Sequence, residues 1–148
     1  MTTAAQAFAA IRSRLESEGL SFPLRFQGDT QEALPGQPAP FAYVEFHPER
    51  AVLASFGGGR GENRYRNPAR IDAYVFVPQG HGLVEAVTRA EQIAALFRSF
   101  RDVDISCFEA SVLSGGHGSE MTVPGMSSEV NNYWYAAVEV RLFFDQIG

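Results

Sequence analysis

The segment Tyr133–Phe144 constrains this chain most strongly, because its side chains alternate with a period of two over twelve positions. Trp134, Ala136, Val138, Val140, Leu142 and Phe144 fall on one side, and Tyr133, Tyr135, Glu139 and Arg141 on the other. Only an extended strand puts every second side chain on one face. A strand this long needs partners, so the chain is committed to a sheet. Two further segments supply them. In Phe41–His47, Ala42, Val44 and Phe46 oppose Phe41, Tyr43, Glu45 and His47. In Arg64–Val77, Ile71, Ala73, Val75 and Val77 oppose Asp72, Tyr74 and Phe76, and Pro68 suggests a bulge or an edge position. Weaker extended pieces are expected at Phe22–Phe26, Arg50–Phe56 and Val103–Leu113, the last with Phe108, Ala110 and Val112 facing inward and Cys107 half-exposed on the opposite side.

Two segments carry the helical period instead. Thr2–Glu18 places Phe8, Ile11 and Leu15 on one stripe, with Thr2 or Thr3 as cap and Gly19 as stop. Gly82–Phe100 carries Leu83, Val87, Ala90, Ile93, Ala94 and Phe97 at spacings of three and four. Glu85 and Arg89 form an exposed pair four residues apart. Three loops separate these elements: the proline-rich Gly28–Pro40, the glycine-rich Gly57–Asn63, and the long Ser114–Asn132. The order helix, strands, helix, strands predicts a single α+β domain over residues 1–148, with a mostly antiparallel mixed sheet and both helices packed on one face. The length of 148 residues fits one domain.

Composition narrows the chemistry. All 12 cationic residues are Arg, so phosphate-loop lysines, Schiff bases and lysine bases are excluded. The net charge of −5 argues against gripping nucleic acid through its phosphates. No apolar run reaches the ~20 residues of a spanning helix, and Met1–Gly19 lacks the pattern of a signal peptide. Cys107 is the single cysteine and has no partner for an internal disulfide. The glycines at 57–61 lie between strands, outside the context of a dinucleotide loop. His47, His81 and His117 are scattered over three segments, and the run Ser114–Ser119 lacks a Gly-x-Ser-x-Gly motif. Neither a catalytic constellation nor a cofactor or metal set is therefore expected. The composition fits an intracellular domain. The sheet's second face, with Tyr43, Glu45, Tyr74, Tyr133, Tyr135, Glu139 and Arg141, mixes aromatics with charges as subunit contacts do.

The ordering of these segments also carries a resemblance. An amphipathic helix leads through a Pro-rich loop to Phe41-Ala42-Tyr43-Val44-Glu45-Phe46, and a Gly-rich hairpin to Arg70–Pro78. A helix containing Ala90–Phe97, a strand, a long loop and Tyr133–Val140 follow. This resembles the tail terminator proteins of long-tailed bacteriophages and of phage-like gene transfer agents, over nearly the whole chain. The resemblance implies a non-enzymatic virion subunit that assembles as a hexameric ring. The ring caps the tail tube, stops its polymerisation and joins it to the neck. Its implied partners are further copies of itself, the tail tube protein and a neck or head-completion protein. DNA passes through without specific binding, and neither a membrane nor a cofactor takes part. Its implied location is the virion tail, assembled in the host cytoplasm. The loops around Gly58, Arg60, Glu62 and Arg64 and around His117, Glu120 and Met126 are the expected docking loops for tube or neck. Two alternatives stay open: a head-completion protein of the same particle, and a small ligand-binding domain or enzyme.

Overall fold

A computed structural model describes residues 2–55, 58–120 and 132–148. The first helix, α1 (Ala4–Ser17), starts where the sequence supplies a reciprocal cap. The Gln6 backbone N–H donates to the Thr3 hydroxyl at 3.2 Å, and the Thr3 N–H donates to Gln6 Oε1 at 2.9 Å. Ala7, Ile11 and Leu15 form its buried stripe. Phe8 lies at the rim of that stripe, stacked on Phe46 with ring centroids 5.3 Å apart. Gly19 follows the helix at φ +62°, a conformation glycine adopts without a Cβ penalty.

Strands β1 (Leu24–Phe26), β2 (Phe41–Pro48), β3 (Val52–Leu53) and β4 (Arg64–Pro78) precede helix α2 (Leu83–Phe97), and β5 (Arg101–Asp102), β6 (Ile105–His117) and β7 (Tyr133–Ile147) follow it. The strands form one sheet in the order β1-β2-β4-β7-β6-β5, with β3 paired to the start of β4. Every described pairing is antiparallel except β1 with β2. Both helices cover the same face. Their buried side chains join Val44, Ile71, Val75, Val138, Val140 and Leu142 in one core. The architecture is thus the single-domain α+β fold expected, and the two long alternating strands, β4 and β7, pair side by side at its centre along their whole length.

Several local expectations are corrected. Pro68 sits in central strand β4, in unbroken register with Phe143 of β7. Its missing N–H faces the gap where β2 has ended and β3 has not begun. The Pro68 carbonyl on that side accepts from the Glu49 N–H at 2.9 Å. No ladder bond is lost there, so no bulge is needed. The expected strand at Arg50–Phe56 shrinks to the two residues of β3, since Ala54 and Ser55 both donate to the Arg64 carbonyl as the hairpin closes. Phe56 lies outside the described residues.

On α2 the buried line is Ala86, Ala90, Ile93, Ala94 and Phe97. Leu83 is exposed and Val87 only half-buried. The expected stripe thus holds from Ala90 to Phe97, and in the first turns Ala86 takes the buried position in place of Leu83 and Val87. The expected loop from Ser114 is partly strand: β6 runs on to His117, followed by a short 3-10 turn at Gly118–Glu120.

The largest correction concerns β6. Its register against β7 slips between Cys107 and Glu109 and again between Leu113 and Gly116. Each slip is a β-bulge, which inserts unpaired residues and shifts the parity of the strand. Cys107 therefore points into the main core beside Ile105, and Ala110 and Val112 also face inward beyond the bulge. Phe108, expected inside, is 60% exposed on the outer face and stacks on Phe143 at 6.0 Å. Burial pushes the Cys107 thiol up to about 12, so it is neither half-exposed nor a ready thiolate. At the second bulge a Cβ on Gly115 would lie 1.6 Å from the Tyr135 carbonyl oxygen, so this position accepts glycine alone.

Candidate functional site

The outer sheet face, away from the helices, is built in rows by strand register. One end is aromatic. Phe41 on β2 lies opposite Phe76 on β4, which lies opposite Tyr135 on β7. The next row places Tyr43 opposite Tyr74. Then come Glu45, Asp72 and Glu139, consecutive neighbours across three strands. The row beyond holds His47, Arg70 and Arg141. The face thus grades from rings through carboxylates to an imidazole and two arginines.

The aromatic end is a second small core. Phe41, Tyr43, Phe76 and Tyr133 are buried together, with Leu34, Tyr74 and Tyr135 packed around them. Phe41 stacks on Phe76 at 4.8 Å and meets Tyr133 edge-on at 5.3 Å. The proline-rich loop covers this cluster: Leu34 packs on it, and the Ala39 N–H donates to the Tyr133 hydroxyl at 3.3 Å. Of the residues expected at a subunit contact, Tyr43 (1% exposed) and Tyr133 (2% exposed) are therefore already enclosed by their own chain. Tyr74, Tyr135, Glu45 and Glu139 are half-buried and Arg141 is exposed. Of the expected contact residues, these five remain within reach of another molecule. Burial, then the charges of Asp72 and Glu45, push the Tyr74 phenol up to about 12. It stays neutral throughout the physiological range.

The carboxylate row is held by His47 and two arginines on the flanking row. His47 Nε2 lies 3.0 Å from Glu45 Oε2 and 3.3 Å from Asp72 Oδ2. Arg70 Nε lies 3.0 Å from that same Asp72 oxygen, and Arg141 reaches Glu139 at 2.8 Å. Glu45 and His47 sit two apart on one strand, so the sequence places them on one face. Asp72 is some 25 positions further along the chain, and only the β2–β4 register brings it to them. His47 is thus not an isolated strand histidine.

The expected docking loops are dispersed. Gly58, Arg60 and Glu62 form an exposed turn, in which the Glu62 N–H donates to the Gly59 carbonyl at 3.2 Å. Arg64 is already engaged. With Arg66 it grips the buried Asp145 carboxylate, Arg66 Nε lying 3.1 Å from Oδ1. Hydrogen bonds from Arg66 and Arg64 hold the Asp145 carboxyl below the ordinary carboxylate value, against the opposing effect of burial. His117 and Glu120 lie at the end of β6, and Met126 lies outside the described residues.

His117 Nδ1 accepts from the Ser119 hydroxyl at 2.6 Å and from the Ser119 N–H at 3.1 Å. Its other ring nitrogen meets the Gln79 amide rather than a carboxylate. The pair is a local turn contact, and among the described residues no acid orients the imidazole as a base. Beside it, Gly80, Gly82, Leu83, Gly115, Gly116 and Trp134 line an apolar recess of about 420 Å³. Trp134, expected in the core, stands at its rim and is 39% exposed.

Strand β6 presents a second surface. On its outer side β5 pairs only with Ile105 and Ser106. Among the described residues no strand covers the edge from Glu109 to Leu113. Phe108 and Leu113 are both exposed along it.

No family model and no curated protein matches the chain. Several solved structures match; one of these chains superposes with a TM-score of 0.60 over 100% of this chain and 99% of its own length, at 14% sequence identity. This shows a shared fold over the whole domain.

Proposed function

We propose that this protein is a structural subunit of a long-tailed phage or gene-transfer-agent particle, a tail terminator that closes into a ring on the end of the tail tube. The observation that carries this reading is the pair of unlike sheet edges on one subunit. At one end is the long edge of β6, unpaired from Glu109 to Leu113 among the described residues, with Phe108 and Leu113 exposed; at the other is the three-residue β1. Unlike surfaces joined head to tail generate a ring when the rotation closes, and a closed ring cannot grow. An uncovered strand edge is a ready template for backbone pairing. The half-buried tyrosines and the charged rows beside them add side-chain contacts of the kind enriched at interfaces. The acidic balance of the chain, −5, suits a ring through which DNA slides without being held.

Light scattering and negative-stain imaging of the purified protein, alone and with purified tail tubes, test the proposal. Rings that cap tube ends are the expected result, and particles lacking the protein should carry tails of uncontrolled length. Phe108→Arg and Tyr135→Ala should each reduce ring formation while leaving the circular dichroism spectrum unchanged. A strict monomer indifferent to tubes would sink the reading. Rings that bind the portal side and ignore tubes would replace it with a head-completion role.

A further inference from the structure

We propose that Glu45, His47 and Asp72 form a binding site for a divalent first-row transition-metal ion of the zinc type on the outer face of the sheet. The proposal does not rest on the ring reading. One imidazole nitrogen and one oxygen from each carboxylate all lie within 4.8 Å of one another. Metal–ligand bonds of ~2.0–2.2 Å at tetrahedral angles put neighbouring donor atoms ~3.3–3.5 Å apart. Of the imidazole-to-carboxylate separations, that to Asp72, 3.3 Å, already has that dimension, and that to Glu45, 3.0 Å, is slightly shorter. The backbone imposes it: two ligands stand two apart on β2, and the third is the direct cross-strand neighbour of the first. Small side-chain rotations, without backbone movement, would bring the three donors round one ion, with a fourth position open to water.

A plain ion-pair account explains this cluster less well. One ring nitrogen carries at most one proton, yet Nε2 of His47 faces two carboxylates. Like charges directly opposite one another also destabilise a sheet, and Glu45 lies directly opposite Asp72, whereas Glu139 is paired with Arg141. A bound dication answers both features. Arg70, the cross-strand neighbour of His47, donates to the same Asp72 oxygen that faces the imidazole and so fixes the orientation of that carboxylate. The mixed nitrogen and oxygen donor set selects the class of ion. Imidazole suits zinc, cobalt and nickel, whereas magnesium and calcium take oxygen ligands.

The test uses the full-length protein titrated with ZnCl2 by calorimetry and with CoCl2 by visible absorption. One equivalent should bind, and His47→Gln, Glu45→Gln and Asp72→Asn should each weaken binding at least about tenfold. His81→Gln, which removes a histidine paired with Glu85 on α2, should leave affinity unchanged. In the unmutated protein the imidazole NMR signals of His47 should shift on adding Zn²⁺ while those of His81 and His117 stay in place. This readout holds even if a variant misfolds. Retention of full affinity in His47→Gln, equal loss in His81→Gln, unmoved His47 signals, or Mg²⁺ binding as tightly as Zn²⁺ would each overturn the assignment.

Discussion

The two faces of the sheet follow the same alternation and end in different states. The inner face carries aliphatic and small residues, and two amphipathic helices close over it. The outer face carries rings, carboxylates and arginines, and only its aromatic end is covered, by a proline-rich loop with Leu34 packed beneath it. The inner face is buried as core. The outer face divides its work: one end is core, and the remainder keeps charges and half-buried tyrosines within reach of another molecule or ion. An aromatic sheet face is therefore not equivalent to an available one.

The sharpest test of that division sets the two faces against each other. Phe76→Ala on the outer face is expected to cost about 3–5 kcal/mol, as much as Leu142→Ala on the inner face at about 2–5 kcal/mol, because both leave a cavity in a closed cluster. Urea denaturation of the two variants measures this; a cost below about 1 kcal/mol for Phe76→Ala would show that the loop does not seal its end. Next in size is Asp145→Asn, expected to cost about 1–3 kcal/mol by weakening the grip of Arg64 and Arg66. The folded carboxyl of Asp145 is held below its unfolded value. Its contribution is therefore complete above the unfolded value of about 4 and is lost as pH falls through the folded one. Thermal melts between pH 6 and pH 2.5 should show the native protein losing more stability than Asp145→Asn. Trp134→Ala should cost only about 1–2 kcal/mol, below the ~3–5 kcal/mol of an enclosed aromatic, since its ring stands at the rim of an open recess. A larger loss would place Trp134 in the core after all. The smallest effect is kinetic: Cys107 should resist a disulfide reagent at pH 8 in the folded protein and react fully in denaturant. Prompt reaction of the folded protein would contradict the parity that the β6 bulge imposes.

Most of the fold could be read from the chain because its two longest strands and both helices carry unbroken periodicity. β4 and β7 pair along their whole length, and α1 begins at its Thr3 cap. What could not be read was whatever breaks a period. The bulge at Phe108 reverses inside and outside for Cys107, and no local residue announces it. The reach of the Gly28–Pro40 loop over Tyr133 is a long-range contact with no sequence period at all. The Glu45–His47 pair was visible as two positions on one face, but Asp72 joined it only through a register between segments far apart in sequence.

The sequence by itself determined the elements, their order and the two-faced character of each long strand, since these follow from local periodicity and side-chain chemistry. The tertiary structure alone decided which strands are neighbours, which edge stays open, which aromatics are sealed, and where an imidazole meets two carboxylates. Those outcomes depend on cross-strand register and loop closure, which are set by the burial of the whole chain and not by any segment of it.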